Sequence, residues 1–442
     1  MTLRHLLPLA LLATPSFGAD TALKQIVTDK LAADYPSLQA LYTDLHQNPE
    51  LSLLEERTAG VIARELRGAG FEVTEKVGGF GVVGVLKNGA GPTLMIRTDL
   101  DGLPVQEETG AAYASKKTMK DLTGREVATM HACGHDVHMT SFIGTARLLN
   151  ALKDRWAGTV VMIGQPAEET GVGARAMLTD GLYRRFPKPH FVLAFHDSAT
   201  LPAGTVGVRE GYVMANVDSV DITVRGVGGH GAVPHATKDP IVLAARIVGA
   251  LQTIVSREIR PTDPAVVTVG SIQGGTKHNI IPDEVKLQLT IRSYADNVRQ
   301  QTIDAIKRIC RGEAIAAGMP EDRMPVVTIS EDQTTPSTYN DPTLTRRVVA
   351  ALTAWLGPEQ IRPVDPEMIG EDFSRFGRTT EKVPTCMFRV GAVDPAKFAE
   401  SQRTGVPLPS LHSNKFLPVP EPTLKTGVAA MTAVALDLLR QP

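Results

Sequence analysis

The chain has 442 residues, with 46 Lys and Arg against 48 Asp and Glu, for a net charge of −2. That balance excludes recruitment to nucleic acid or to an anionic membrane by bulk charge. With 43% hydrophobic and 21% charged residues, 39 glycines and 30 prolines, the composition is globular rather than disordered or collagen-like, and the length suggests two or three domains.

The first 18 residues read as a secretory signal. Arg4 precedes the short apolar run Leu6 to Ala13, and Ser16 and Gly18 put small residues before Ala19. The run is shorter than the roughly 20 residues of a membrane span, and no later stretch approaches that length without charges. The expected location is the periplasm or the exterior, with no membrane contact after removal; an uncleaved N-terminal anchor is the alternative.

From 19 to 211 the pattern is that of the first part of a catalytic domain. Asp20 to Ala69 is mainly helical and is stopped by Gly68 and Gly70. Strand-like runs follow at Phe71 to Val77, Val82 to Leu86 and Thr93 to Thr98. Helical patterns at Val137 to Leu152 and Ala174 to Leu182 then alternate with extended ones at Thr159 to Ile163 and Phe191 to Phe195. This alternation predicts an α/β fold with a mostly parallel sheet whose strand ends present polar residues.

The pattern changes near Tyr212. A strand at Ser219 to Val224, a helix from Pro240 to Val255, strands at Ala265 to Ile272 and Val285 to Ile291, a helix from Asn297 to Ala317 and a strand at Met324 to Ile329 predict a ferredoxin-like α+β unit over 212–325. It interrupts the catalytic domain, which resumes over 326–442 with helices near Thr343 to Trp355 and Glu421 to Leu439 around a strand at Thr385 to Val390.

Two segments match G-x-G-x-x-G, Gly79 to Gly84 and Gly226 to Gly231. A dinucleotide site needs a helix straight after the glycines to aim its N–H groups at the pyrophosphate. The first match runs into a strand and the second meets Pro234, so neither is read as one. No phosphate-binding loop and no G-x-S-x-G nucleophile motif occurs.

The strongest local signal is His131-Ala132-Cys133-Gly134-His135-Asp136-Val137-His138. Imidazole with thiolate suits a borderline cation such as Zn²⁺, and in an extended segment Cys133 and His135 would share one face. A capped helix start with solvated histidines is the other reading. The three cysteines, Cys133, Cys310 and Cys386, are too few for a disulfide framework, and at least one thiol must stay unpaired within the chain. Ligation would explain why Cys133 survives outside the cytosol. Further acids and imidazoles follow predicted strands: Asp99 and Asp101, Glu168 and Glu169, His196 and Asp197. In an open parallel sheet these C-terminal ends share one edge, so the groups should converge. Adjacent Glu168 and Glu169 diverge, so one can bind metal while the other reaches a metal-bound water.

These residues resemble the dinuclear metal amidohydrolases and peptidases that include hippurate hydrolase, indoleacetyl-amino-acid hydrolases, aminoacylase and glutamate-releasing carboxypeptidases, and the hippurate hydrolase branch most. The resemblance runs over nearly all of Leu38 to Leu439 through Arg97 to Pro104, Met130 to His138, Gln165 to Glu169, Gly228 to Gly231 with Pro234-His235, Asn279 to Asp283, Gly370 to Phe373, and Leu411 to Ser413. It implies two divalent metal ions, Mn or Zn with Co or Ni as further options, held by Cys133, His135, Glu169, His196 and His412. It further implies Glu168 as general base, with Asp101 orienting the site. It makes the inserted unit a lid and homodimerisation surface whose His230 stabilises the oxyanion in a neighbouring site, and it gives Asn279 and Arg292 to the substrate carboxylate. Gly164 before Gln165 and Asp197 after His196 depart from the branch pattern, and Asp197 would add charge beside the metals. The implied activity is hydrolysis of an N-acyl amino acid or dipeptide-like small molecule. A metallo-dipeptidase or carboxypeptidase with the same site is the near alternative, and a non-catalytic binding protein the distant one.

Overall fold

The computed structural model describes residues 21–330 and 334–440; the expected signal segment lies outside them. The main sheet has eight strands, in the order Glu72–Thr74, Val82–Asn88, Gly158–Gln165, Thr93–Asp99, Phe191–Pro202, Thr385–Val393, Val206–Val208 and Ile361–Pro363. Its four long central strands, from Gly158–Gln165 to Thr385–Val393, are mutually parallel, and antiparallel pairing enters on either side of them.

Both faces are covered, which is why these strands read as unbroken apolar runs. Leu94 and Ile96 face one core with Phe195 and Phe388, under the helices Thr21–Gln47, His135–Ala151 and Pro420–Leu438. Met95 points the other way, with Val161 and Met387, onto Met177, Phe373 and Phe376. This two-residue alternation gives both faces of the central strands to apolar packing.

The second sheet is antiparallel, in the order Ala265–Gly274, Glu284–Ser293, Asn216–Arg225 and Val326–Ile329. Val220, Ile222, Leu287 and Leu289 pack on one face against Leu243, Ile247, Ile303 and Ile306 of the helices Pro240–Thr253 and Asp296–Ala316. The element order and the strand order are those of a ferredoxin-like unit. Asp239 caps the first helix, its carboxylate accepting from the N–H groups of Ile241 and Val242. With the turn that follows it, Pro240–Glu258 is apolar and long enough to cross a membrane, and its buried side is the one packed on this sheet.

Two expectations need correction. Cys133 and His135 do not share an extended segment: Cys133 lies in a turn and His135 opens a helix, with Gly134 left-handed (φ 73°) between them. A Cβ on Gly134 would sit 2.3 Å from Asp197 Oδ2, so both backbone conformation and space demand glycine there. His196 and Asp197 do not follow their strand but lie inside it, because pairing with Thr385–Val393 carries it on to Pro202.

Candidate metal centre

The parallel strands deliver their polar ends to one edge. Asp99 closes its strand with Asp101 just beyond, Glu168 and Glu169 sit in the turn after Gln165, and Cys133 lies in the turn that leads into the helix opened by His135. His412 arrives from the turn between the helices Pro395–Thr404 and Pro420–Leu438. Donor atoms of Cys133, His135 and His196 lie within 4.8 Å of one another, as do those of Cys133, Glu169 and His412, and those of His135, Glu168 and Glu169. Cys133 Sγ lies 3.5 Å from His196 Nε2 and 3.3 Å from His412 Nε2. Glu169 Oε2 is 3.5 Å from His412 Nε2.

The hydrogen bonds fix which nitrogens are free to ligate. His135 Nδ1 donates to the Asp101 carbonyl at 2.8 Å, and His196 Nδ1 donates to the Asp197 carbonyl at 2.8 Å. A carbonyl only accepts, so each Nδ1 carries hydrogen and a neutral ring keeps a bare Nε2. His135 Nε2 and Glu169 Oε1 are buried with no hydrogen-bond partner. Burial opposes charge on His135, yet Asp99, Asp101 and Glu169 drive its pKa well above the ordinary range. The surroundings therefore carry surplus negative charge. Burial, then Glu169 and Glu168, hold the Cys133 thiol well above its usual pKa. Orphaned buried donors, a mixed thiol, imidazole and carboxylate set and an excess of negative charge fit divalent cations.

Asp101 accepts from Ser52 Oγ at 2.6 Å and from the Glu169 N–H at 3.0 Å, so it fixes the turn that carries both glutamates. Leu53 (φ 68°), Ala167 (φ 52°) and His412 (φ 65°) are left-handed without being glycine, and all three border the donors or carry them. Such strain costs on the order of 1–3 kcal/mol each and persists only where surrounding bonds over-determine it. Glu55 Oε1 supplies such bonds, accepting from the N–H groups of both Leu53 and Ala167.

Arg292 shares the cleft with Cys133, Glu168, Glu169, His196 and His412, and its Nη1 donates to the Met368 carbonyl at 2.7 Å. His230 and Asn279 stand elsewhere, on an exposed two-stranded ribbon where the Gly231 N–H donates to the Asn279 carbonyl. Sequence reasoning did not single out Arg97, Glu371 and Asp372 as site residues. Arg97 bonds Asp99, Gln165 and Glu371 beneath the donors, and Asp372 accepts from Gln165. An arginine directly after the apolar run Leu94-Met95-Ile96 and within the same strand was the available signal, since a buried cation requires buried anions.

Behind His135, His46 lies between Asp136 Oδ2 (2.6 Å) and Glu107 Oε1 (3.2 Å). Both partners are acceptors, so the fold favours the doubly protonated ring. Burial pulls the other way, but these bonds carry the His46 pKa up from 6.5 to about 9. The stabilisation is fully present below pH 6.5 and is lost as pH rises through about 9; it amounts to on the order of 3 kcal/mol. Denaturant titrations across that window should show the fall, and His46→Gln should flatten it. An unchanged slope in that variant would contradict the assignment.

The peptidase family M20/M25/M40 model matches residues 95–411. Thermostable carboxypeptidase 2 of Saccharolobus solfataricus is 36% identical over 396 residues, covering 89% of this chain and 93% of the relative. Hippurate hydrolase of Campylobacter jejuni is 40% identical over 276 residues, covering 62% of this chain and 68% of the relative. A solved Bacillus subtilis structure, described as a dinuclear metal binding peptidase from the M20 family, superposes with a TM-score of 0.74 at 30% identity, covering 92% of this chain and 99% of that one. The match takes in every converging donor up to the residue before His412, and the chain accordingly belongs to the peptidase family M20/M25/M40.

Proposed function

We propose that the protein hydrolyses the amide bond of an N-acyl amino acid, with two divalent metal ions, releasing a carboxylic acid and an amino acid. The observation that carries this reading is one cleft of about 990 Å³ holding the thiol, imidazole and carboxylate donors, the buried Glu168 and the cation Arg292. Cys133, His135, Glu169, His196 and His412 would hold the ions, Mn²⁺ or Zn²⁺ by preference, with Co²⁺ or Ni²⁺ also suited to such donors. When bound, the ions would lower the pKa of a water toward about 7 and polarise the scissile carbonyl.

Glu168 takes the proton of the attacking water as the new carbon–oxygen bond forms, then gives it to the amine as the carbon–nitrogen bond breaks. Asp101 keeps Glu168 and Glu169 in register by holding the Glu169 N–H. Arg292 binds the substrate carboxylate by a charge-assisted contact. His230 and Asn279 are too exposed to serve their own cleft, which supports a role for their ribbon in a homodimer, His230 facing the oxyanion of the neighbouring copy. Exposed Ile241, Val242, Ile272 and Ile280 on the same unit support a dimer surface. Export by the N-terminal segment is part of the same reading. The second reading, a metallo-dipeptidase or carboxypeptidase, is favoured by the carboxypeptidase among the relatives.

Amine release from N-benzoylglycine, N-acetyl amino acids and dipeptides should vanish on chelation and return with Mn²⁺ or Zn²⁺. Activity on dipeptides alone would select the second reading, and metal-independent or absent turnover would defeat both.

A further inference from the structure

A second cavity, of about 300 Å³, lies toward the edge where the central strands begin, and no residue lines both it and the metal cleft. Thr385, in its wall, opens the strand Thr385–Val393 and pairs with Val192, whereas the donor His196 lies further along and pairs with Arg389.

The cavity sits where the main sheet and the inserted unit meet. Tyr212 stacks on Tyr294, which follows the strand Glu284–Ser293 of the second sheet, with ring centroids 5.7 Å apart, and meets Tyr339 edge-on at 5.0 Å. Each ring is held by the next, so the aromatic wall stands ready before any ligand arrives. Arg378 closes another side, its Nη1 donating to Asp296 Oδ2 at 2.6 Å and its Nη2 to Ser337 Oγ at 2.7 Å.

Three further side chains in the wall keep unused polar capacity. Lys382 makes no ion pair among the described residues, and its backbone is left-handed (φ 47°), pinned by its N–H bond to the Thr379 carbonyl. Asp341 gives Oδ1 to the Leu344 N–H at 2.8 Å as a helix cap and makes no ion pair among the described residues. Ser374 Oγ is buried without a hydrogen bond. An ammonium and a carboxylate thus line one small cavity without pairing with each other, beside a wall of tyrosine rings. That combination matches a zwitterion with an apolar side chain: its carboxylate completes Lys382, its ammonium completes Asp341, and its side chain packs on the tyrosines.

We propose that this cavity binds a free amino acid with an aromatic or large apolar side chain, separately from the metal cleft. Amide hydrolysis at that cleft would release such a ligand, so occupancy would rise as product accumulates. The binding itself does not depend on that reading.

Calorimetric titration of L-phenylalanine into the full chain tests it, once with Mn²⁺ or Zn²⁺ bound and once after chelation. Binding at millimolar concentration should appear in both, with the same Kd. Lys382→Gln and Asp341→Asn should each weaken it by about tenfold, because each leaves one charge of the ligand unmatched; asparagine still caps the helix, so the fold is kept. Phenylpropanoate, which lacks the ammonium, and phenethylamine, which lacks the carboxylate, should bind about tenfold more weakly. Glycine, which lacks the ring, should lose at least as much. Lys397→Gln, at an exposed lysine outside the cavity lining, should leave the Kd unchanged. Binding that is lost on chelation, or that is indifferent to Lys382→Gln or Asp341→Asn, would place the amino acid elsewhere and overturn the proposal. So would equal binding of phenylpropanoate, or no binding of L-phenylalanine at millimolar concentration. Every readout is binding rather than turnover, so a failure of the amide hydrolysis would leave this test intact.

Discussion

Replacing Glu168 with glutamine should leave the protein folded and able to bind metal while cutting turnover by about 10²–10⁴-fold. The Glu168 side chain is 9% exposed, and its Oε2 lies 4.0 Å from His135 Nε2, at the edge of the donor group. Burial, followed by the nearby carboxylates of Glu371, Glu169 and Asp372, pushes its pKa well above the usual range, and Arg97 only partly offsets them. A carboxylate so placed is a stronger base than an exposed one, which is what removing a proton from water and returning it to an amine demands. Glutamine keeps the shape but accepts no proton. Metal content measured beside kcat separates this role from ligation: Glu168→Gln should keep its metal, whereas Glu169→Gln should lose part of it. Turnover within tenfold of the parent at full metal content would remove Glu168 from the mechanism.

The polar ends of the parallel strands were legible because each interrupts an apolar run: Asp99 after Leu94 to Ile96, Glu168 after Val160 to Ile163. The dense His131 to His138 segment was legible for the same reason. Its local geometry was not, because spacing alone does not distinguish an extended pair from a turn and helix start. Gly134 decides that point through its contact with Asp197, a residue 63 positions away that no local pattern connects to it. Nor could spacing find the left-handed Ala167 and His412, whose residue types prefer other conformations and are held by tertiary bonds. His230 and Asn279 came from resemblance, and within a single chain they stand apart from the cleft. The second cavity was invisible for a simpler reason: Tyr212, Asp341 and Lys382 belong to different segments and meet only in three dimensions.

Arg97→Met should destabilise the fold by about 3–5 kcal/mol at neutral pH, the usual consequence of removing one partner from a buried ionic group. Arg97 is almost fully buried and donates to Asp99 Oδ2 at 2.6 Å, Gln165 Oε1 at 2.9 Å and Glu371 Oε1 at 2.8 Å, with Asp372 Oδ1 at 3.4 Å. Burial works against its charge, but Glu371, Asp99 and Asp372 outweigh that cost and drive its pKa above even the normal arginine range. Even with Arg97 present, burial leads and Glu371 adds, so that Asp372 rises to about 7. Methionine would fill the volume while leaving Glu371 and Asp372 without their cation, whereas Asp99 keeps its bond to His138 Nδ1 at 2.8 Å, and the Asp372 pKa in the folded state would climb further above that in the unfolded chain. The folded state would then bind more protons than the unfolded one, so the variant should regain stability as pH falls and lose it as pH rises. Adding Asp372→Asn should recover part of the loss by removing one unpaired charge. Arg97→Lys should not, because an ammonium cannot span the fork of acceptors that the guanidinium holds. Denaturant unfolding of the four proteins at two pH values tests the account. A loss below about 1 kcal/mol, or one indifferent to pH, would mean that Arg97 is not the charge holding the strand ends together.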